Sequence, residues 1–288
     1  MKRLLIILAL ASTALAHPGA GIAVMNNGRV FFVDTGGGIF SIDRGGRVVR
    51  HDGPAFHWFA LDPQSRFANT RWPYISGAEF RSAGGNPTLV MSSDFPVTVG
   101  RDGKFYYPEG GGGRIRIVGL DPSGTKTTLA TLPAIQRGGE TITWLNGLAA
   151  AADWSLYYSE DAAVRKIDRS GRVSTIAEGV DVPNCTAIPG TGEAGRPYLR
   201  GLAVAADGSV YVAASACGAL LKIDPRGTVS TVLRTTAPWS PTAVAIANGE
   251  IYVLEYTHTE GDDRSQWMPR VRKISRTGAV SLLGASKR

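Results

Sequence analysis

Four acidic residues recur at one place in an otherwise apolar repeat. Asp34, Glu109, Glu160 and Glu255 each lie just beyond a run of aromatic or β-branched residues: Val30-Phe31-Phe32-Val33, Phe105-Tyr106-Tyr107, Leu156-Tyr157-Tyr158 and Ile251-Tyr252-Val253. Carboxylates gathered from equivalent positions offer hard oxygen ligands to a cation, or a general base whose pKa its neighbours raise. An acidic residue ending a strand also commonly accepts N–H bonds from its own loop, which is the structural alternative. A second aligned set leads into short runs of small apolar residues: Ala20, His57, Phe95, Asn146, Arg200 and Thr242. Asn146 contributes a neutral oxygen. Arg200 contributes a permanent cation that can grip an anionic ligand or pair with a nearby carboxylate. His57, beside Trp58, and His258, in a long loop with Asp262, Asp263 and Trp267, are further candidates, with hydrogen-bonded packing as the competing role. A copper brace at His17 would need a second histidine that the sequence does not assign. No serine, threonine or cysteine nucleophile has an assignable base, and the glycines from Gly110 to Gly113 lack the Lys-Ser/Thr pair of a phosphate loop, so they read as a flexible connection.

The elements that position these residues emerge from an internal repeat. Its first strand is small and apolar: Gly21-Ile22-Ala23-Val24, Trp58-Phe59-Ala60-Leu61, Pro96-Val97-Thr98-Val99, Gly147-Leu148-Ala149-Ala150, Gly201-Leu202-Ala203-Val204 and Ala243-Val244-Ala245-Ile246. A turn pair follows each, such as Asn27-Gly28, Gln64-Ser65, Asp102-Gly103, Asp153-Trp154, Asp207-Gly208 or Asn248-Gly249, and in most units a second strand and another hairpin follow. Four antiparallel strands recurring every 40 to 50 residues or so predict an all-β fold, a six-bladed β-propeller of four-stranded blades. Small residues suit strands that converge on an axis, and aromatics suit the spaces between blades. Turns between strands one and two and between strands three and four are tight, whereas the insertions at 71–77, 110–113, 133–143, 181–199 and 256–269 fall in the other connections. Those connections share one face in an up-and-down blade. The geometry therefore expects Asn146, Arg200, Glu160 and Glu255, with His57 nearby, at one mouth of the channel, and the 256–269 loop leaning over it. The last blade is expected to come wholly from C-terminal residues.

Composition bounds the function classes. Lys2 and Arg3 precede an apolar run that ends Ala14-Leu15-Ala16, the pattern of a signal peptide over residues 1–16, with residues 17–288 as one exported domain, secreted or periplasmic. The net charge is +7, of which Lys2 and Arg3 supply 2, leaving +5 without a basic block, which argues against a nucleic-acid surface. Later apolar runs are too short to span a membrane. In an oxidising compartment Cys185 and Cys217, the only two cysteines, are expected to form a disulfide tying the 181–199 insertion to the second hairpin of the following blade. In the chain-entropy picture such a loop stabilises by about 3–4 kcal/mol. The chain is expected to be monomeric.

The stretch Asn146-Gly147-Leu148-Ala149 through Leu156-Tyr157-Tyr158 resembles the corresponding blade of the gluconolactonase and senescence-marker family, and the wider repeat resembles NHL-repeat propellers along the whole mature chain. The resemblance implies a divalent metal, Ca or Zn, ligated by Asn146. Two positions depart from it: Arg200 stands where that family has a metal-binding catalytic aspartate, and Ala20 where it has a glutamate. A guanidinium neither ligates metal nor acts as a base. Two functions follow as expectations. The loop-rich mouth binds a small molecule, glycan or protein partner; alternatively, the chain is a metal-assisted hydrolase of a lactone or ester.

Overall fold

The computed structural model describes residues 18–53, 55–68, 78–82, 87–137, 140–142, 144–189, 191, 195–258 and 266–286. The chain is an all-β propeller with, among the described residues, five four-stranded antiparallel blades, each with its strands in sequence order outward from the axis. They are β1 (Ile22–Val24), β2 (Val30–Asp34), β3 (Gly38–Ile42) and β4 (Val48–His51); β8 (Thr98–Val99), β9 (Phe105–Gly111), β10 (Arg114–Leu120) and β11 (Lys126–Thr131); and β14 (Gly147–Ala150), β15 (Leu156–Ser159), β16 (Val164–Ile167) and β17 (Val173–Ala177). The last two are β18 (Leu199–Val204), β19 (Val210–Ala214), β20 (Ala219–Ile223) and β21 (Val229–Arg234), then β22 (Trp239–Ala247), β23 (Glu250–Thr257), β24 (Pro269–Ile274) and β25 (Val280–Ala285).

Five of the six expected blades have four strands among the described residues, and the remaining unit, at residues 58–92, shows three. Here β5 (Trp58–Asp62), β6 (Ala78–Ser82) and β7 (Thr88–Ser92) form a three-stranded sheet in the order β5-β7-β6, so the strand paired with β5 is the last of the three in sequence. The local cause is the turn after β5. The Asp62 carboxylate accepts the N–H groups of Gln64 and Phe67 at 3.3 and 3.0 Å and the Arg66 Nε at 3.1 Å, and Phe67 is buried against Phe105. The chain is thereby wound into the core where a hairpin would start a second strand. Leu89-Val90-Met91 of β7, all buried, fill the vacant place beside β5.

The innermost strands β1, β5, β8, β14, β18 and β22 contact one another in that order, and β22 contacts β1, closing a ring. At two of their glycines they pack too closely for any side chain: a β-carbon on Gly201 would lie 2.7 Å from that of Ala243, and one on Gly147 would lie 2.6 Å from the Arg200 carbonyl. Phe31, Phe32, Phe105, Tyr107, Tyr158 and Tyr256 of the second strands are buried, each contributing about 1.5–3 kcal/mol of apolar burial. The last blade contains C-terminal strands alone, as expected.

Two connections are now defined. Gly112 and Gly113, with φ of 59° and 72°, make a two-residue turn between β9 and β10. Positive φ at both central residues is the hairpin geometry that glycine permits, so this stretch is a tight turn and not a flexible insertion. Residues 133–143 carry an extra hairpin, β12 (Ile135–Arg137) with β13 (Glu140–Ile142). Cys185 and Cys217 form the expected disulfide, with Cα atoms 4.7 Å apart. Among the described residues no helix is long and apolar enough to cross a membrane. Residues 1–17, including His17 and the expected signal peptide, lie outside the described residues, as does 71–77.

Candidate functional site

The axial channel encloses about 310 Å³ and is lined by all six innermost strands. Its walls carry no titratable side chain; Thr98 is a polar exception, and its hydroxyl accepts the Ala150 N–H from the next blade at 3.1 Å. Chemistry based on charge must therefore sit outside the shaft.

Arg200 lies at the start of β18, 3% exposed. Its guanidinium donates to the Pro18 carbonyl at 2.5 Å, and Thr242 donates its hydroxyl to the Gly19 carbonyl at 2.8 Å. The segment leading into β1 is thus held by residues of the last two blades. Arg200 also lies 6.0 Å from the centre of the Tyr198 ring. Burial lowers its pKa, yet a guanidinium stays cationic at any physiological pH. Tyr256 donates to the Val33 carbonyl at 2.5 Å, and its pKa is pushed up by burial and then by the nearby Asp34 carboxylate. Asp34 is buried, accepts the Gly36 N–H at 3.0 Å and takes the Ser286 hydroxyl at 2.9 Å. Asp34, Tyr256 and Arg200 therefore join the first and last parts of the chain.

The other three carboxylates each face arginine. Glu109 is half-buried and pairs with Arg116 at 2.9 Å and Lys126 at 3.6 Å. Glu160 pairs with Arg165 at 2.8 Å. Glu255 is fully buried, receives Arg270 Nε at 2.6 Å and Arg272 Nε at 2.8 Å, and is capped again by Arg272 Nη2. Arg270 in turn lies 3.8 Å above the Trp239 ring, a cation–π contact that fixes it further. Strand pairing could have found part of this, because Arg116 is opposite Glu109 and Arg270 is opposite Glu255. His57 is half-buried, edge-on to Trp58 at 5.5 Å, and its carbonyl accepts the Ala20 N–H at 2.7 Å. His258 is buried, stacks on Trp267 at 6.3 Å and donates its backbone N–H to the Pro238 carbonyl at 2.8 Å. Asp262 and Asp263 lie outside the described residues.

Asn146 and Glu160 come together in a separate cleft of about 400 Å³ beside the third four-stranded blade, roofed on one side by β13. Its lining adds residues that the repeat did not single out, among them Trp144, Asp161, Glu178 and Arg196. The Asn146 side-chain amide donates to the Leu199 carbonyl at 2.8 Å, which points its nitrogen into the protein. Arg165 bridges Glu160 and Glu178, the latter at 3.1 Å, and Arg196 pairs with Asp161 at 3.1 Å. Trp144 is 51% exposed. Its position just after an insertion and just before the Asn146 repeat was the only sequence signal for it.

A divalent cation suits this donor set poorly. Among the described residues no three His, Cys, Asp or Glu side chains are grouped to hold a metal ion. The carboxylates of Glu160 and Glu255 already face guanidinium groups, which would repel a cation brought to the same oxygens.

No protein-family model matches the chain, and no curated protein does. Solved structures are similar to it. Virginiamycin B lyase from Staphylococcus aureus superposes with a TM-score of 0.54 at 15% identity, over 94% of this chain and 85% of the other. A luciferin-regenerating enzyme gives 0.56 at 14% identity, over 94% and 93%. Regucalcin from Agrobacterium tumefaciens str. C58, a calcium-binding protein, gives 0.55 at 14% identity, over 86% and 85%. All are β-propellers, and regucalcin is of the senescence-marker kind, so the resemblance read from the repeat holds at the level of fold.

Proposed function

We propose that this chain is an exported, monomeric six-bladed propeller, with the three-stranded sheet as its sixth blade, that captures a small molecule, glycan or protein partner on its insertion-bearing face. The observation that carries this reading is the state of the carboxylates: Glu109, Glu160 and Glu255 are each matched by guanidinium groups, so none is placed as a free general base. Arg200, which stands where the resembling family has its aspartate, is buried on the Pro18 carbonyl. The disulfide supports export, since such bonds persist in oxidising compartments. The fold itself is neutral between readings, because similar structures include a lyase, a luciferin-regenerating enzyme and a calcium-binding protein.

One observation favours the alternative, a Ca- or Zn-assisted hydrolase of a lactone or ester. With its nitrogen committed to Leu199, Asn146 keeps its side-chain oxygen for a ligand. Metal analysis of purified protein, combined with thermal shifts on adding Ca²⁺, Zn²⁺ or a chelator and a lactone and ester hydrolysis screen, separates the two. The binding reading expects no stoichiometric metal, no shift and no turnover. Stoichiometric metal together with hydrolysis lost in Asn146→Ala would replace it with the hydrolase.

A further inference from the structure

Burial changes along the axial shaft in the same sense in all six units. The residues that begin the innermost runs, from Gly21 to Ala243, are buried, whereas those that end them, Val24, Leu61, Val99, Ala150, Val204 and Ile246, are partly exposed. Solvent therefore reaches the shaft from the tight-turn face, opposite the insertions, through a collar of six aliphatic side chains.

Hairpin register fixes what else faces the axis. Met25, Gly100, Ala151 and Ala205 donate their N–H groups to the carbonyls of Arg29, Lys104, Ser155 and Ser209 at 2.8–2.9 Å. Successive residues of an antiparallel ladder alternate between bonding the partner strand and turning away from it. The main-chain N–H and C=O of Val24, Val99, Ala150 and Val204 therefore turn away from the second strands, toward the axis. Ala150 bears this out, because its N–H meets the Thr98 hydroxyl of the adjoining blade at 3.1 Å. With its oxygen so engaged, Thr98, 8% exposed and one residue inside the collar, keeps its own proton to donate. The walls thus combine aliphatic side chains, peptide groups and one hydroxyl.

Such walls exclude two classes of ligand and fit a third. An ion would lose its water in a shaft that, among the described residues, has no titratable side chain to neutralise it. A hydrocarbon would suit the collar but leave the inward-facing peptide groups without partners. An uncharged amide meets both demands: its N–H and C=O match the open edge of a strand, its carbonyl can take the Thr98 proton, and it carries no charge. At about 310 Å³ the shaft suits a compact molecule, at the lower end of small-molecule sites.

Independently of the capture read for the insertion-bearing face, we infer that the axial shaft is a second binding site, entered from the tight-turn face, for a compact uncharged amide. The test is an NMR titration of the full chain with N-methylacetamide and with cyclo(Gly-Gly). Acetate, methylammonium, ethylene glycol and cyclopentane are the controls. Wild-type protein is compared with Ala150→Trp and Val24→Trp, which narrow the collar from two blades, with Thr98→Val, and with Leu282→Ser on the outer wall. The expected result is saturable binding of at least one amide, unchanged across the neutral pH range because no wall group titrates. Its dissociation constant rises about tenfold or more in the collar variants, rises in Thr98→Val and stays the same in Leu282→Ser. Melting curves are matched first, and Thr98→Val decides if neither collar variant folds. Three results overturn the inference: no amide bound by wild-type protein, amide binding indifferent to the folded collar variants or to Thr98→Val, or a control bound as tightly as the amides.

Discussion

Trp154 occupies the turn position held by Gly28, Gly103 and Gly208 in three other blades, and its φ of 73° is in the same left-handed region. A bulky residue is strained there. What the indole gains in return is visible in its neighbour: the Arg169 guanidinium lies 5.0 Å over the ring while its Nε donates to the Asp153 carbonyl at 3.1 Å. Arg44 and Arg276 approach Gly28 and Gly249 in the same way, so close that a β-carbon would sit 3.0 and 3.1 Å from their Nε atoms. Trp154→Gly should raise stability, because relief of about 1–2 kcal/mol of left-handed strain exceeds the ~0.5–1 kcal/mol of an exposed cation–π contact. A higher urea midpoint at unchanged slope would show it, and a lower midpoint would refute it. The turn at Asp153-Trp154 was legible from the repeat. Its strain was not, since nothing in residue type marks a tryptophan for a glycine's conformation. The arginines on Glu109 and Glu255 were legible in principle from strand register, but the repeat directs attention to like positions and away from pairs across a hairpin.

Between strands three and four the turns share one device. Asp121, Asp168 and Asp224 each accept the N–H groups two and four residues on, at 2.8–3.0 Å. These bonds favour the ionised form. The Ser170 hydroxyl and then the Arg172 N–H hold Asp168 down to about 2, the Ser123 hydroxyl leads the lowering at Asp121, and the Thr228 N–H leads it at Asp224. A carboxyl group depressed on folding stabilises fully above its ordinary value of 3.8 and loses that contribution as pH falls toward 2. The melting temperature should therefore drop between pH 4 and 2, and Asp168→Asn, which keeps an acceptor oxygen but cannot ionise, should flatten part of the drop. An identical profile for the variant would disprove the assignment. At this scale the sequence served well wherever strands follow one another in space. It failed at β5-β7-β6, where the strand beside β5 is the third in sequence and the repeat pattern does not record the detour.

Closure of the ring depends on a few buried polar contacts more than on any shared strand. Pro18 and Gly19 are gripped by Arg200 and Thr242, Val33 by Tyr256 and Asp34 by Ser286. Arg200→Met should lose about 2–4 kcal/mol, since it strands buried polar groups at the junction. Glu109→Gln, which weakens only the solvent-accessible pairs with Arg116 and Lys126, should cost less than ~1 kcal/mol. Denaturant titration of both variants checks the contrast, and equal costs would mean that the junction is not what Arg200 holds together. Repetition made the ring legible from sequence, but the place where a ring is sealed has no counterpart in the repeat. Arg200 stood out by type, with an anionic ligand or a nearby carboxylate as its expected partner, and the structure places it on the Pro18 carbonyl of the chain's own backbone.

That seal has a direction in time. Residues 18 and 19 are made early, their partners at 200 and 242 late, and Ser286, which holds Asp34, later still. Throughout synthesis each molecule is consequently an open crescent whose leading edge waits for its trailing one, with the inner strands unprotected until the final hairpin arrives. Whatever receives the emerging chain must shield that crescent for the whole of the wait.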